Sequence, residues 1–66
     1  MNPKPDRKQL VELMSQVAER VFIKEGTEVT PEMHGMIRDT NKNLVAKFSN
    51  KLVEVCIDGI QKELTE

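Results

Sequence analysis

Apolar residues in the segment 10–22 recur at intervals of three and four positions, which is the pattern of an amphipathic helix. Asp6 precedes this segment as a predicted N-cap, and Gln9 follows Asp6 at the spacing of a capping box. Gly26 provides a left-handed stop after the last turn. The pattern therefore predicts a first helix from about residue 7 to residue 25. Its polar face comprises Glu12, Ser15, Gln16, Glu19 and Arg20.

A second helix has a clear start signal after a short connector. The hydroxyl of Thr30 is a predicted N-cap, and Pro31 occupies a position where its missing N–H group does no harm. Glu32 places a negative charge in the first turn, where the helix dipole favours it.

The segment 39–43, DTNKN, leaves the length of this second helix open. Most of its residues are poor helix formers that prefer caps and turns. However, Ile37 and Leu44 are seven positions apart and stay in phase across it, as in an uninterrupted helix. We predict one continuous helix from 31 to about 64. The alternative is a break near 39–43, which would give a three-helix bundle.

The segment 44–64 carries apolar residues around most of a helix's circumference. One stripe comprises Leu44, Val45, Phe48, Leu52, Val55 and Cys56, and a second comprises Val53, Ile57, Ile60 and Leu64. A helix of this kind is normally buried on more than one side, and one neighbouring helix covers only one of them. We therefore predict an interface with another chain. Its predicted residues are Phe48, Leu52, Val53, Ile57, Ile60 and Leu64.

Gly59 has two interpretations within this segment. Together with Asp58 it is a turn signal that would end the helix early. Alternatively, its missing side chain permits the close approach of a crossing helix. The apolar periodicity continues through Ile60 and Leu64, which favours the second interpretation.

A chain of 66 residues forms one domain at most and buries only about 60% of its unfolded surface. Its single cysteine excludes an internal disulfide, and no Cys and His cluster is present for a structural metal. Association is the remaining source of stability. We predict a disordered lead at 1–5 and one all-α domain at 6–66. The expected fold is a helical hairpin that assembles into a dimeric bundle of the four-helix type.

Charge and hydropathy argue against two classes of partner. Ten basic and eleven acidic residues give a net charge of −1, whereas a nucleic-acid binder has a basic excess or a basic face. The longest apolar run, Val21 to Ile23, is far shorter than a membrane span. The first ten residues lack the apolar core of a signal peptide. We expect a cytoplasmic protein without a nucleic-acid or membrane partner.

The residues with reactive side chains do not form a recognisable catalytic pattern. His34 is the single histidine, and its sequence neighbours provide neither an orienting carboxylate nor a nucleophile. Cys56 lies between Val55 and Ile57, which is typical of a small buried side chain. We therefore expect no enzymatic activity, no catalytic residue, no cofactor and no metal ligand.

The predicted function is a small non-enzymatic protein–protein interaction module. It would act in a regulatory, adaptor or chaperone-like role through helix–helix assembly. The expected partner is a second copy of the chain, as a homodimer, or a helical protein.

A connector followed by a long helix also resembles the first two helices of the histone fold, including histone-like factors of transcription complexes. The segment 33–56 carries the resemblance through Met36, Ile37, Leu44, Val45, Phe48 and Leu52. The resemblance implies, as the alternative function, a DNA- or transcription-associated subunit with a helix–loop–long-helix arrangement. The sequence departs from that family in its longer first helix, its missing third helix and its lack of DNA-facing basic residues.

Overall fold

The computed structural model describes residues 4–65, and this part of the chain is all-α, as predicted. It contains α1 (Arg7–Lys24), α2 (Pro31–Val45) and α3 (Asn50–Thr65). The first three residues of the predicted lead at 1–5, and residue 66 of the predicted domain, lie outside the described residues.

The first helix has the predicted start and ends one residue earlier than predicted. Asp6 Oδ1 accepts a hydrogen bond from the Gln9 amide at 3.1 Å, which confirms the predicted N-cap. Gly26 has a φ of +84°, and its amide donates to the Ile23 carbonyl at 3.0 Å. The Thr27 amide donates to the Phe22 carbonyl at 2.9 Å, which completes a Schellman motif. The stop therefore depends on a residue that adopts a left-handed conformation without strain.

The second helix also starts where predicted. Thr30 Oγ1 accepts from the Met33 amide at 3.1 Å, and Pro31 occupies the first turn. The helix then continues through 39–43, so the alternative break in this segment is wrong. The poor intrinsic preference of these residues is offset by a tertiary contact, because Asn41 Nδ2 donates to Ser15 Oγ on α1 at 3.0 Å.

The prediction of one long helix from 31 to 64 is wrong, because α2 ends at Val45 and α3 begins at Asn50. Ser49 caps the new helix: its Oγ accepts from the Leu52 amide at 3.1 Å. Arg7 of α1 holds the junction together. Its guanidinium donates to Asn50 Oδ1 at 2.8 Å and to the Val45 carbonyl at 2.6 Å, and this carbonyl also accepts from the Phe48 amide at 3.0 Å.

Two consequences follow from this break. The described chain has three helices rather than the predicted two-helix hairpin. In addition, the long helix on which the resemblance to the histone fold depended is absent from residues 4–65. Gly59, by contrast, lies inside α3, so it does not end the helix early.

The three helices form a flat, open array with α1 in the middle. Helix α1 packs against both α2 and α3, whereas α2 and α3 barely contact each other. The Cα atoms extend over 44 × 27 × 13 Å. The core is small, and α1 contributes only one of its buried apolar side chains. The four buried apolar side chains of the core are Leu10, Val45, Val53 and Ile57.

Ser15 is the one buried polar residue of the described chain. The sequence pattern placed it on the polar face of α1, and this placement is wrong because α2 covers it. Its hydroxyl donates to the Val11 carbonyl at 2.6 Å and accepts from Asn41, so its burial leaves no hydrogen-bonding group unpaired.

Candidate interaction surface

The described chain exposes more large apolar side chains than it buries. Four apolar residues form its core, whereas eight large ones are exposed. Single exposed apolar residues are normal on a protein surface, but clusters of them mark interaction sites. The exposed residues are Val17, Val21, Phe22, Ile23, Met36, Leu44, Leu52 and Val55.

One cluster lies on the α1–α2 pair, and we call it the hairpin face: Val21 and Met36, beside Ala18 and Ile37. A shallow groove between the two helices is lined by Ala18 on α1 and by residues 36, 37, 40 and 41 of α2. Val21 is three positions from Ala18 and shares its face of α1, and Met36, which lines the groove, is 62% exposed.

The second cluster lies on α3, on the side turned away from the core, and we call it the α3 strip: Leu52, Val55 and Gly59. These residues are three and four positions apart, so they form one stripe along the helix. Leu52 is 42% exposed and Val55 is 55% exposed. A Cβ atom built on Gly59 would meet no atom within 4 Å. Nothing in the described chain therefore requires a glycine at this position.

The six residues of the predicted interface divide between the core and the surface. Val53 and Ile57 are buried by the chain's own helices, because the break before Asn50 turns this side of α3 towards α1. Phe48 and Ile60 are half-buried and pack against the same core. Leu64 is half-buried beside Leu13, and Leu52 is exposed. Within one described chain, Val53 and Ile57 are thus not on the surface.

A charged cluster on the opposite side of the α1–α2 pair was missed by the sequence reasoning. Arg38 of α2 forms a two-point contact with Glu12, at 2.9 Å from Nε and 2.7 Å from Nη2, and also lies 3.2 Å from Glu19. These hydrogen bonds from Arg38 lower the pKa of Glu12 and that of Glu19, although partial burial opposes the shift. Glu12 and Glu19 share one face of α1 at a spacing of seven, which is the signal that could have revealed the cluster.

His34 belongs to the same cluster, where the carboxylate of Glu19 lies beside its ring, although its sequence neighbours carry no carboxylate. Its Nδ1 lies 2.7 Å from Glu19 Oε2 and 2.9 Å from Arg38 Nη1. A protonated Nδ1 donates to Glu19, and an unprotonated Nδ1 accepts from Arg38, so only one of these bonds exists at a time. No Ser, Cys or Thr side chain bonds to the ring. The arrangement ties α1 to α2 and contains no nucleophile for His34 to activate.

Other candidate chemistry is sparse in the part of the chain that the structure describes. No group of three His, Cys, Asp or Glu side chains there is placed to hold a metal ion. Cys56 is a free thiol, half-buried against the core. None of the described helices has both the length and the apolar character needed to cross a membrane.

The geometry thus presents two exposed apolar clusters and a self-satisfied charged cluster. Comparisons with known proteins find no matching protein family, no similar curated protein and no similar solved structure.

Proposed function

We propose that the chain is a non-enzymatic protein–protein interaction module that acts through helix–helix packing, first of all with a second copy of itself. Such a module would serve a regulatory, adaptor or chaperone-like role. One observation carries the proposal: the described chain buries four apolar side chains and exposes eight large ones. A surface of this kind lowers its free energy by packing against another apolar surface.

The dimensions of the chain support the same proposal. Its accessible surface is 5237 Å², whereas a compact monomer of 7.6 kDa is expected to expose about 4300 Å². Its radius of gyration is 12.8 Å, whereas about 11 Å is expected for 66 residues. The excess surface is comparable with the roughly 800 Å² that each partner buries in a standard interface. Because each copy contributes three helices, a dimer would bring six together.

The polar groups of the described chain give no comparable support to another class of function. Its ion pairs join α1 to α2 and satisfy one another, so the charged cluster offers no free site for an anionic or cationic ligand. A helical protein partner would use the same apolar chemistry as a second copy.

The test is the mass of the protein in solution by sedimentation equilibrium, from about 1 µM to about 500 µM, together with thermal unfolding at each concentration. We expect the mass to rise from 7.6 kDa towards twice that value, and the unfolding temperature to rise with protein concentration. A monomer at every concentration, with a constant unfolding temperature, would refute self-association.

A matched pair of double variants tests whether the apolar surface is responsible. Val21→Glu with Val55→Glu places one charge in each exposed apolar cluster, so it should weaken association at least about tenfold. Asn43→Glu with Gln61→Glu adds the same charge at exposed polar positions of α2 and α3 and should leave association within about twofold. Equal effects of the two double variants would show that charge alone, and not the apolar surface, governs association.

A further inference from the structure

We infer that two copies pair through the α3 strip, antiparallel, with Leu52 of each copy against Val55 of the other and Lys51 facing Asp58. This inference rests on the proposed function, because it specifies how the self-association occurs. It follows from three properties of α3: an exposed apolar stripe, a glycine without a role inside the chain, and the order of the charges beside them.

The spacing along the strip is that of a helix-pairing seam. Leu52, Val55 and Gly59 are separated by three and then four positions, so they occupy successive positions of one heptad stripe. Leu52 and Gly59 lie away from the side of α3 that Val53 and Ile57 bury against α1, and Val55 borders an open groove against residues 5, 6 and 9. A second helix can therefore approach the strip without displacing the core.

Gly59 permits a close approach that the single chain does not make. It lies in the interior of α3, where glycine is less favourable than alanine, and a Cβ there would meet nothing within 4 Å. In the antiparallel register, Gly59 of one copy faces the turn at 46–49 that precedes α3 of the other. The missing side chain leaves space for that turn.

Charge selects this register over its alternatives. Lys51 and Asp58 lie on one edge of the strip, and the ion pairs of the described residues involve neither of them. In an antiparallel pair, residues on the same edge of the two helices face each other, so Lys51 of each copy meets Asp58 of the other and the pair contains two such contacts. A parallel pair would instead set Asp58 against Glu63. Sliding the antiparallel pair by one heptad would set Asp58 against its own copy.

Charge reversal provides the test, with association constants measured by sedimentation equilibrium at low salt. Lys51→Glu alone and Asp58→Lys alone should each weaken association about tenfold, because both create two like-charge contacts in a symmetric pair. The double variant Lys51→Glu with Asp58→Lys should restore association to within about twofold of the unaltered protein. An equimolar mixture of the two single variants should associate more strongly than either alone, because every facing pair is then of opposite charge.

The alternatives give different results in the same experiment. In a parallel pair, Asp58→Lys would strengthen association by facing Glu63, and Lys51→Glu would have little effect. In the slid antiparallel pair, Asp58→Lys would exchange one like-charge contact at position 58 for another and Lys51→Glu would leave that contact unchanged, so neither single change would weaken association tenfold. Either result, in a protein that does dimerise, would overturn the inference and leave the proposed function standing. An unaltered protein that stays monomeric would instead overturn the proposed function.

Glycine substitution is an independent measurement with a matched control. Gly35 also lies inside an exposed helical stretch with nothing within 4 Å of a built Cβ, but its neighbours at helical spacing, Glu32, Arg38 and Asp39, are charged. Gly59→Gln should weaken association at least fivefold, whereas Gly35→Gln should leave it unchanged. Both should raise the unfolding temperature of the dilute monomer, since glutamine is the better helix former. Equal association of the two variants would refute the contact at Gly59.

Discussion

The hydrogen bond from Asn41 to Ser15 makes a quantitative prediction about why α2 continues through a segment of poor helix formers. Asn41 Nδ2 donates to the buried Ser15 Oγ at 3.0 Å, and the hydroxyl itself donates to the Val11 carbonyl. Asn41→Ala removes the donor from α2. Asn43→Ala changes the same residue type two positions later, where the side chain is exposed and makes no hydrogen bond within the described residues.

The expected magnitude follows from two opposing effects. Alanine is a better helix former than asparagine by up to about 0.7 kcal/mol, so Asn43→Ala should raise the free energy of unfolding by about that amount. Asn41→Ala gains the same preference and loses a neutral hydrogen bond with a net value of about 0.5–1.5 kcal/mol. The two variants should therefore differ by about 1 kcal/mol, with Asn41→Ala the less stable.

Urea unfolding followed by circular dichroism measures this difference, at one low protein concentration so that association does not contribute. With a dependence on urea of about 1 kcal/mol per M, the two midpoints should lie roughly 1 M apart. Combining Asn41→Ala with Ser15→Ala completes a double-mutant cycle, and the coupling energy should be about 1 kcal/mol. Equal midpoints for Asn41→Ala and Asn43→Ala, with no coupling to Ser15, would refute the reasoning.

Three further predictions concern the core, a turn and the charged cluster. Leu10→Ala should lower the free energy of unfolding by about 2–5 kcal/mol, because Leu10 is fully buried among residues of α2 and α3. The helical circular dichroism signal at 25 °C should therefore be lost, and a fully retained signal would contradict the central position of Leu10. Gly26→Ala should lower the unfolding temperature by several degrees, since its φ of +84° costs alanine about 1 kcal/mol, and an unchanged value would contradict the Schellman stop. Arg38 lowers the pKa of Glu12 and of Glu19 from 4.5, so these carboxylates stabilise the fold above that pH and lose their contribution as the pH falls further. Urea unfolding should show that the unaltered protein has a higher free energy of unfolding than Arg38→Gln at pH 6, and that this difference disappears at low pH. A difference that stays constant with pH would contradict the effect of Arg38 on the two carboxylates.

The predictable part of the fold was the part determined by local signals. Asp6, Gly26 and Thr30 each act on backbone groups a few residues away, so their roles could be inferred from the sequence alone. The end of α2 was misplaced because the helix ends at Val45, outside the segment 39–43 in which a break was considered. The residues of 39–43 have a poor intrinsic helix preference, but Asn41 is hydrogen-bonded to α1 and the helix continues through them. The break occurs instead before Asn50, where Ser49 caps a new helix. The first of these contacts joins residues 26 positions apart, which helical periodicity does not detect.

The candidate site depended on that same break. Both apolar stripes of the last third of the chain were visible in the sequence, but which one faces α1 follows from the direction in which α3 leaves the turn at 46–49. The structure assigns Val53 and Ile57 to the core and exposes Leu52 and Val55. Sequence alone therefore indicated that apolar surface remained, and tertiary structure was needed to locate it.

The central position of α1 has a consequence for how the molecule opens. Because α2 and α3 each pack on α1 and barely on each other, either can detach while the other two helices stay paired. Detachment of α3 would expose Val53 and Ile57, whereas melting of α1 would remove the support of both neighbours at once. Amide protons of α1 should therefore exchange with solvent only through global unfolding, and those of the outer helices through smaller, separate openings.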